Sequence, residues 1–390
     1  FGWLLSFHFL HHIYLFALPP LFPLLRQSII PSYTMLGFLQ AVFMGTGFLM
    51  ILTGKLADRV GERRVILLEF FTIPIFLILS GLAPNSLTLF LFIVGFGVAT
   101  CMYHPAGLSY LSKGVRSNVR GKAIGLHESI GSIGSGIAFV SLGGLGQWLG
   151  WRYALMIMAI PCLVLILLYF LFAKDGIGEV TSKKSRDSEK GTLYRTPKVA
   201  FGIKKEELFP FYLQMGSGMI AVVGFGGFTT FLAIFLVQVY GFSVAIAGTI
   251  VGISYIGTFL GNLVGGKLSD KIGFITTYAL FGLLAAFFTA IVALFHLPSQ
   301  LLLVVLLSCF FLLGARSPTD KALLADYSHA EGRSTSYGFL FSSYTLGFVI
   351  AGPLFGFLIE KLGMRSGFLF VPVLFIIASL IRYRMKRYHI

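Results

Sequence analysis

Apolar runs of about 20 residues recur along the whole chain, parted by polar breaks too short to hold a soluble domain. They lie at residues 3–25, 33–54, 64–83, 88–111, 121–146, 152–173, 208–236, 244–266, 274–295, 299–321, 334–359 and 366–384. In lipid only a helix or a closed barrel satisfies its own backbone polar groups, and runs of this length read as helices. The pattern predicts an all-α membrane protein with twelve transmembrane helices. One long polar stretch, residues 174–207, is rich in Lys, Ser and Glu. It divides the chain into an N-terminal six-helix half, 1–173, and a C-terminal six-helix half, 208–390. It reads as a cytoplasmic linker with a mobile middle from Thr181 to Lys190.

The halves repeat each other. Gly54-Lys55-Leu56-Ala57-Asp58-Arg59-Val60-Gly61 recurs 212 residues on as Gly266-Lys267-Leu268-Ser269-Asp270-Lys271-Ile272-Gly273. Pro105/Pro318, Arg120/Arg333, Gly125/Gly338, Gly134/Gly347, Gly143/Gly356, Gly150/Gly363 and Arg152/Arg365 match at 213. A duplicated membrane unit, pseudo-symmetric about its midpoint, points to moving something across a bilayer. In each copy the Gly residues are expected to make a tight turn, Gly54 and Gly61 in the first, Gly266 and Gly273 in the second.

Charge adds an orientation. The formal net charge is +15, which by itself would admit nucleic acid as a partner. Its distribution excludes that reading. With the chain start in the cytoplasm, all 30 Lys and Arg but Arg26, Arg152, Lys361 and Arg365 fall on the cytoplasmic side. This positive-inside bias puts both termini in the cytoplasm. Trp3, Trp148 and Trp151 stand at predicted helix ends, as interfacial anchors do. Cys101, Cys162 and Cys309 are far apart in apolar runs and form neither a metal spacing nor a disulfide set. The first helix is too long for a cleaved signal and reads as an uncleaved anchor. No phosphate-cradling loop is present, so no direct use of ATP is expected.

Charged groups deep in the bilayer cost roughly 2.5–3.5 kcal/mol on insertion scales, so they mark function. Glu128 lies about eight residues into the fifth run, roughly 12 Å at 1.5 Å per residue. His104 in the fourth run and Arg316 in the tenth have similar depth, and His8, His11 and His12 share one face of the first. Glu128 reads as a proton carrier, with His104 and His127 sharing the task because imidazole titrates near neutrality. Arg316 reads as the anchor for an anionic group, through its guanidinium fork, or else as the i+4 partner of Asp320. Glu69, near the inner end of the third run, is expected to pair with the basic loop that precedes it.

The stretch Gly54 to Arg64 resembles the signature of major facilitator superfamily transporters, and its weaker copy stands where that family places a second one. The resemblance spans the chain and implies the major facilitator fold, with helices 1, 4, 5 and 10 lining a central cavity. On that analogy His8, His11, His12, Tyr103, Arg316 and Asp320 would contact the substrate. Gly54, Asp58, Arg59, Gly61 and Gly266, Asp270, Lys271, Gly273 would form two gates. Asp58 would meet the positive start of helix 11, at Ser334, Thr335 and Ser336, and Asp270 that of helix 5, near Ser117 and Asn118. Two departures from the multidrug antiporters stand out: Leu91 replaces an Arg in helix 4, and helix 5 reads Gly134-Ser135-Gly136 with no Pro. Tyr103-His104-Pro105-Ala106-Gly107 resembles the His-Pro element of the fosmidomycin-resistance group of exporters.

The resulting expectation is a monomeric, proton-coupled secondary transporter of the cytoplasmic membrane, not an enzyme. It would work by alternating access, without cofactor or bound metal, and export a small anionic or amphiphilic drug-like molecule. An uptake carrier for a metabolite or metal chelate, and a non-transporting receptor or lipid scrambler, are the alternatives.

Overall fold

The computed structural model describes residues 2–115, 120–173, 203, 205–327 and 333–387. Nearly all of the linker, with the expected mobile stretch Thr181 to Lys190, lies outside these residues, as do Ser117 and Asn118 and the side chains of Ser334 and Thr335.

The described residues are helical almost throughout, because every long apolar run must pair its backbone groups internally. The helices are α1 (Gly2–Ser28), α2 (Tyr33–Val60), α3 (Glu62–Leu82), α4 (Ser86–Leu111), α5 (Arg120–Ile157), α6 (Ala159–Phe172), α7 (Leu208–Tyr240), α8 (Val244–Ile272), α9 (Phe274–Leu294), α10 (Ser299–Tyr327), α11 (Arg333–Leu362) and α12 (Met364–Arg387). Among the described residues 11 segments are long and apolar enough to cross a membrane. One of them, Gly125–Phe172, has 48 residues, about 72 Å of helix against a hydrocarbon core of about 30 Å. It is broken at Gly150, where φ is 81°.

The repeat is written into the backbone. Gly61 and Gly273 have φ of 95° and 86°, and Gly150 and Gly363 have 81° and 85°. Gly61, Gly273 and Gly363 each end one helix and start the next, and Gly150 breaks α5, in a conformation that side chains disfavour. The expected turn at Gly54 and Gly266 is not there. Both residues lie inside helices, which run on through Val60 and Ile272. Lys, Leu, Ala and Arg between the glycines favour helix, and only the second glycine of each copy has positive φ.

Breaks elsewhere follow proline unevenly. α1 is interrupted by a 3-10 turn at Pro19–Leu21, and α4 at Cys101 and Met102, just before Pro105. Pro105 then falls in the first turn of the resumed helix, where its missing N–H leaves nothing unpaired. Its repeat mate Pro318 sits inside an uninterrupted α10. The matched prolines Pro105 and Pro318 therefore differ in effect: a break precedes the first and none accompanies the second.

The halves meet along two long seams, α5 against α8 and α2 against α11. Small residues make the approach close: a Cβ on Gly136 would lie 2.6 Å from the Gly252 carbonyl oxygen, and one on Gly37 2.0 Å from that of Gly352.

Candidate functional site

Three polar assemblies sit inside this apolar frame. The first belongs to the N-terminal half. His8, His11 and His12 leave one face of α1 and meet Tyr103 and His104 of α4 and His127 of α5. Ring centroids are 3.5 Å apart for His8–His127, 4.6 Å for His8–His12 and for His11–His104, and 5.7 Å for His8–His104. His8, His11 and His127 are buried, while His12 and His104 are partly exposed. Tyr103 donates to the Leu4 carbonyl at 2.9 Å, so across its 3.1 Å contact it accepts from Nε2–H of His127. His12 Nδ1 meets Ser135 Oγ at 3.1 Å. Gly131 makes room for the cluster: a Cβ there would lie 2.7 Å from both His8 and His12. No three His, Cys, Asp or Glu side chains converge as metal ligands among the described residues.

Glu69 joins this cluster, which corrects the expectation of a partner in the basic loop. Its side chain has no exposure, and Oε1 lies 2.7 Å from His11 Nδ1. It is buried between His11 of α1, Tyr103 of α4 and Cys162 of α6. The acid near the basic loop that does reach α4 is Glu62, which accepts from Ser109 Oγ at 2.8 Å.

The second assembly crosses between the halves. Glu128 Oε2 lies 3.0 Å from Lys321 Nζ of α10. One turn along α5, Ser132 Oγ accepts from Asn262 of α8 at 3.2 Å. One turn further is Gly136, against Gly252. One face of α5, read at intervals of four residues, thus makes the contact with the other half. Glu128 is within electrostatic range of His104 and His12, so the two assemblies are continuous.

The third lies within the C-terminal half. Asp320 accepts from Arg382 at 2.6 Å and Gln214 at 2.9 Å, and also from Tyr344. Arg382 further donates to Ser217 Oγ and the Gln214 carbonyl. Asp320 is therefore not the partner of Arg316. The Arg316 guanidinium stacks over Tyr278, 4.8 Å from the ring centre, and faces Phe375, with Nη1 unpaired and buried. The structure thus brings His8, His11, His12, Tyr103, His104, His127 and Glu128 together. It holds Arg316 and Asp320 in a separate cluster against α9 and α12. The cation facing Glu128 is Lys321, which the sequence reading missed because it lies at the predicted end of the tenth run.

The two ends of the molecule differ. At the end bearing the paired signatures, Asp58 and Asp270 are exposed and have no hydrogen-bond or ion-pair partner among the described residues, and Arg59 and Lys271 are exposed beside them. At the opposite end the halves are tied together. Glu360 of α11 caps the start of α2, accepting from Ser32 Oγ (2.8 Å), Thr34 N (3.0 Å) and Thr34 Oγ1 (2.5 Å). Gln147 of α5 accepts from the N–H of Val244 at the start of α8, at 3.0 Å, and Tyr33 donates to Gln238. Gln147 and Glu360 are repeat mates at 213 residues. The two halves use the same device, an acceptor at one helix end against the free N–H groups at another's start.

These contacts belong to an all-helical protein with many segments long and apolar enough to cross a membrane, whose parts before and after the linker are tied at one end and joined by an ion pair further in. The model of the Major Facilitator Superfamily matches residues 4–319 and again 215–389. The chain belongs to that superfamily, and a second match on the C-terminal part is what a duplicated unit produces. It is 27% identical over 410 residues to the putative metabolite transport protein YyaJ of Bacillus subtilis, covering 95% of this chain and 89% of that one. It is 29% identical over 151 residues to the puromycin resistance protein pur8 of Streptomyces alboniger, covering 38% and 28%. A bacterial homolog of the human lysosomal transporter Spinster, in an inward-facing and occupied conformation, shares the fold with a TM-score of 0.78 at 18% identity, over 99% and 96% of the two chains.

Proposed function

We propose that this chain is a secondary active transporter working by alternating access, coupled to protons, that exports a small anionic or amphiphilic compound across the cytoplasmic membrane as a monomer. Counting Gly125–Phe172 as two crossings brings the total to twelve. The halves are then 1–173 and 208–390, joined by the linker, with both termini in the cytoplasm on the positive-inside argument. The observation that carries the reading is the Glu128–Lys321 pair. It joins the two halves at the depth of the imidazole cluster, where a proton on Glu128 or an anion at Lys321 would each break it. Likeness to a puromycin resistance protein favours export; likeness to a metabolite transport protein keeps uptake as the second reading. A screen of anionic and cationic drugs and metabolites in proteoliposomes, under proton gradients of either sign, tests both. No gradient-dependent flux of any compound would sink the proposal.

Alternating access makes a directional forecast. On this reading the state described here is closed outside by Glu360 and Gln147, and Asp58 and Asp270 bind helix starts only when the inner end closes. A charge at a helix terminus contributes roughly 0.3–1 kcal/mol, up to about 2 when partly buried. Asp58→Asn is therefore expected to favour the inward-open state by about two- to thirtyfold, and Glu360→Ala to disfavour it by a similar factor. Reaction of an Asn262→Cys variant with an impermeant thiol reagent from the cytoplasmic side measures the shift. Equal labelling in all backgrounds would contradict the gates.

A further inference from the structure

We propose that Glu69 is a proton-binding carboxyl of this chain, linked to the Glu128–Lys321 pair through the imidazoles of His11, His104, His8 and His127. The starting point is burial. Neither Glu69 nor His11 has any exposed side-chain surface. No Lys or Arg pairs with Glu69 among the described residues, since Lys321 is engaged by Glu128 and Arg382 by Asp320. A lone carboxylate against a neutral ring in such a site costs several kcal/mol. The pair therefore keeps one exchangeable proton that makes it neutral as a unit. The contact suits both placements of that proton: imidazolium Nδ1–H donates to a carboxylate, or the carboxyl O–H donates to a bare Nδ1. Oε2 of Glu69 has no hydrogen-bond partner of normal geometry, which a neutral carboxyl tolerates better than an ion does, and the backbone N–H groups of Tyr103 and Met102, at the break in α4, also address the carboxyl.

The second observation is the chain of ring nitrogens that follows. Nε2 of His11, both nitrogens of His8, Nε2 of His12 and Nδ1 of His127 are buried without a protein partner. The rings touch in the order His11–His104–His8–His127, with centroids 4.6, 5.7 and 3.5 Å apart and no hydrogen bond between them, and His104 and His127 are within electrostatic range of the partly exposed Glu128. An imidazole takes a proton on one nitrogen and gives one up from the other. In the deprotonated pair, where neutral His11 donates its Nδ1–H to the Glu69 carboxylate, a proton taken up at Nε2 of His11 is balanced by passage of the Nδ1 proton to Glu69 Oε1, which leaves a neutral ring and a neutral carboxyl. The other titratable groups around Glu69 are Cys101 and Tyr103 of α4 and Cys162 of α6. The cation facing the far end of the chain is Lys321 of α10.

The role in transport rests on the proton-coupled reading above, but the site itself is measurable with no substrate and no gradient. The experiment is infrared difference spectroscopy of the full chain in lipid nanodiscs, titrated in pH. The wild type is expected to show a protonated-carboxyl C=O band that titrates. Glu69→Gln should remove it, and Glu128→Gln should keep it with its midpoint moved by about half a pH unit or more. An undiminished band in Glu69→Gln would overturn the site, and an unmoved midpoint in Glu128→Gln would overturn the link. Should Glu69→Gln not fold, Glu69→Asp retains a carboxyl but draws it back from His11. A shifted midpoint then supports the pair, and an unshifted one overturns it. A wild type that transports nothing while its Glu69 band titrates would sink the transporter reading and uphold the proton site.

Discussion

Arg382→Met is expected to destabilise the protein by about 3–5 kcal/mol, the loss seen when one partner of a buried ion pair is removed. Arg382 has no exposed surface, and its guanidinium is shared among Asp320, Ser217 and the Gln214 carbonyl. Without it, Asp320 keeps only Gln214 and Tyr344 as donors, and its charge stays in a dry interior. The effect should appear as a large fall in melting temperature in detergent. Arg382→Met with Asp320→Asn should recover at least about 1 kcal/mol of the summed losses, because residues in one network couple. Arg316→Met should cost less, since that cation stacks on Tyr278 and pairs with no acid among the described residues. Equal losses for Arg382→Met and Arg316→Met would mean that Asp320 is not held as the geometry indicates.

Glu128→Gln is expected to abolish gradient-driven accumulation while leaving counterflow down a substrate gradient measurable. If one proton moves with each substrate, a gradient of one pH unit supports about tenfold accumulation, since one unit is 1.36 kcal/mol. The variant should bring that ratio to about one. Gln keeps the size of the side chain and a hydrogen bond to Lys321 but has no proton to exchange. Lys321→Met should also lose accumulation and should weaken binding of anionic substrates in addition, which separates the two roles. Accumulation at the wild-type ratio in Glu128→Gln would remove Glu128 from the coupling.

The class of the molecule was legible because in lipid it depends on one-dimensional properties. Run length, Lys and Arg asymmetry and a repeat at 212–213 residues are readable without contacts. So is helix-face arithmetic within one run, as Glu128, Ser132 and Gly136 show: each does contact the other half. The face shared by His8, His11 and His12 likewise converges with His104 and His127. Gln147 and Glu360 stand in repeat register and were readable as a pair, though nothing in the sequence says that they meet helix starts.

Partners across helices are another matter. Depth along a helix is fixed by residue count, but the direction of a side chain around the axis is fixed by what packs there. Arg316 and Lys321 are five residues apart on α10, and only packing turns the first toward Tyr278 and the second toward Glu128. Asp320 is spaced to pair with Arg316, yet Arg382 of α12 takes it from more than sixty residues away. Glu69 sits near a basic loop in sequence and against His11 in space. The sequence by itself determined an all-helical chain with segments of membrane-spanning length, because those follow from hydrophobic length and helical rise. The tertiary structure alone decided which charge neutralises which, because a buried charge pairs with whatever opposite group the packing brings within hydrogen-bond reach.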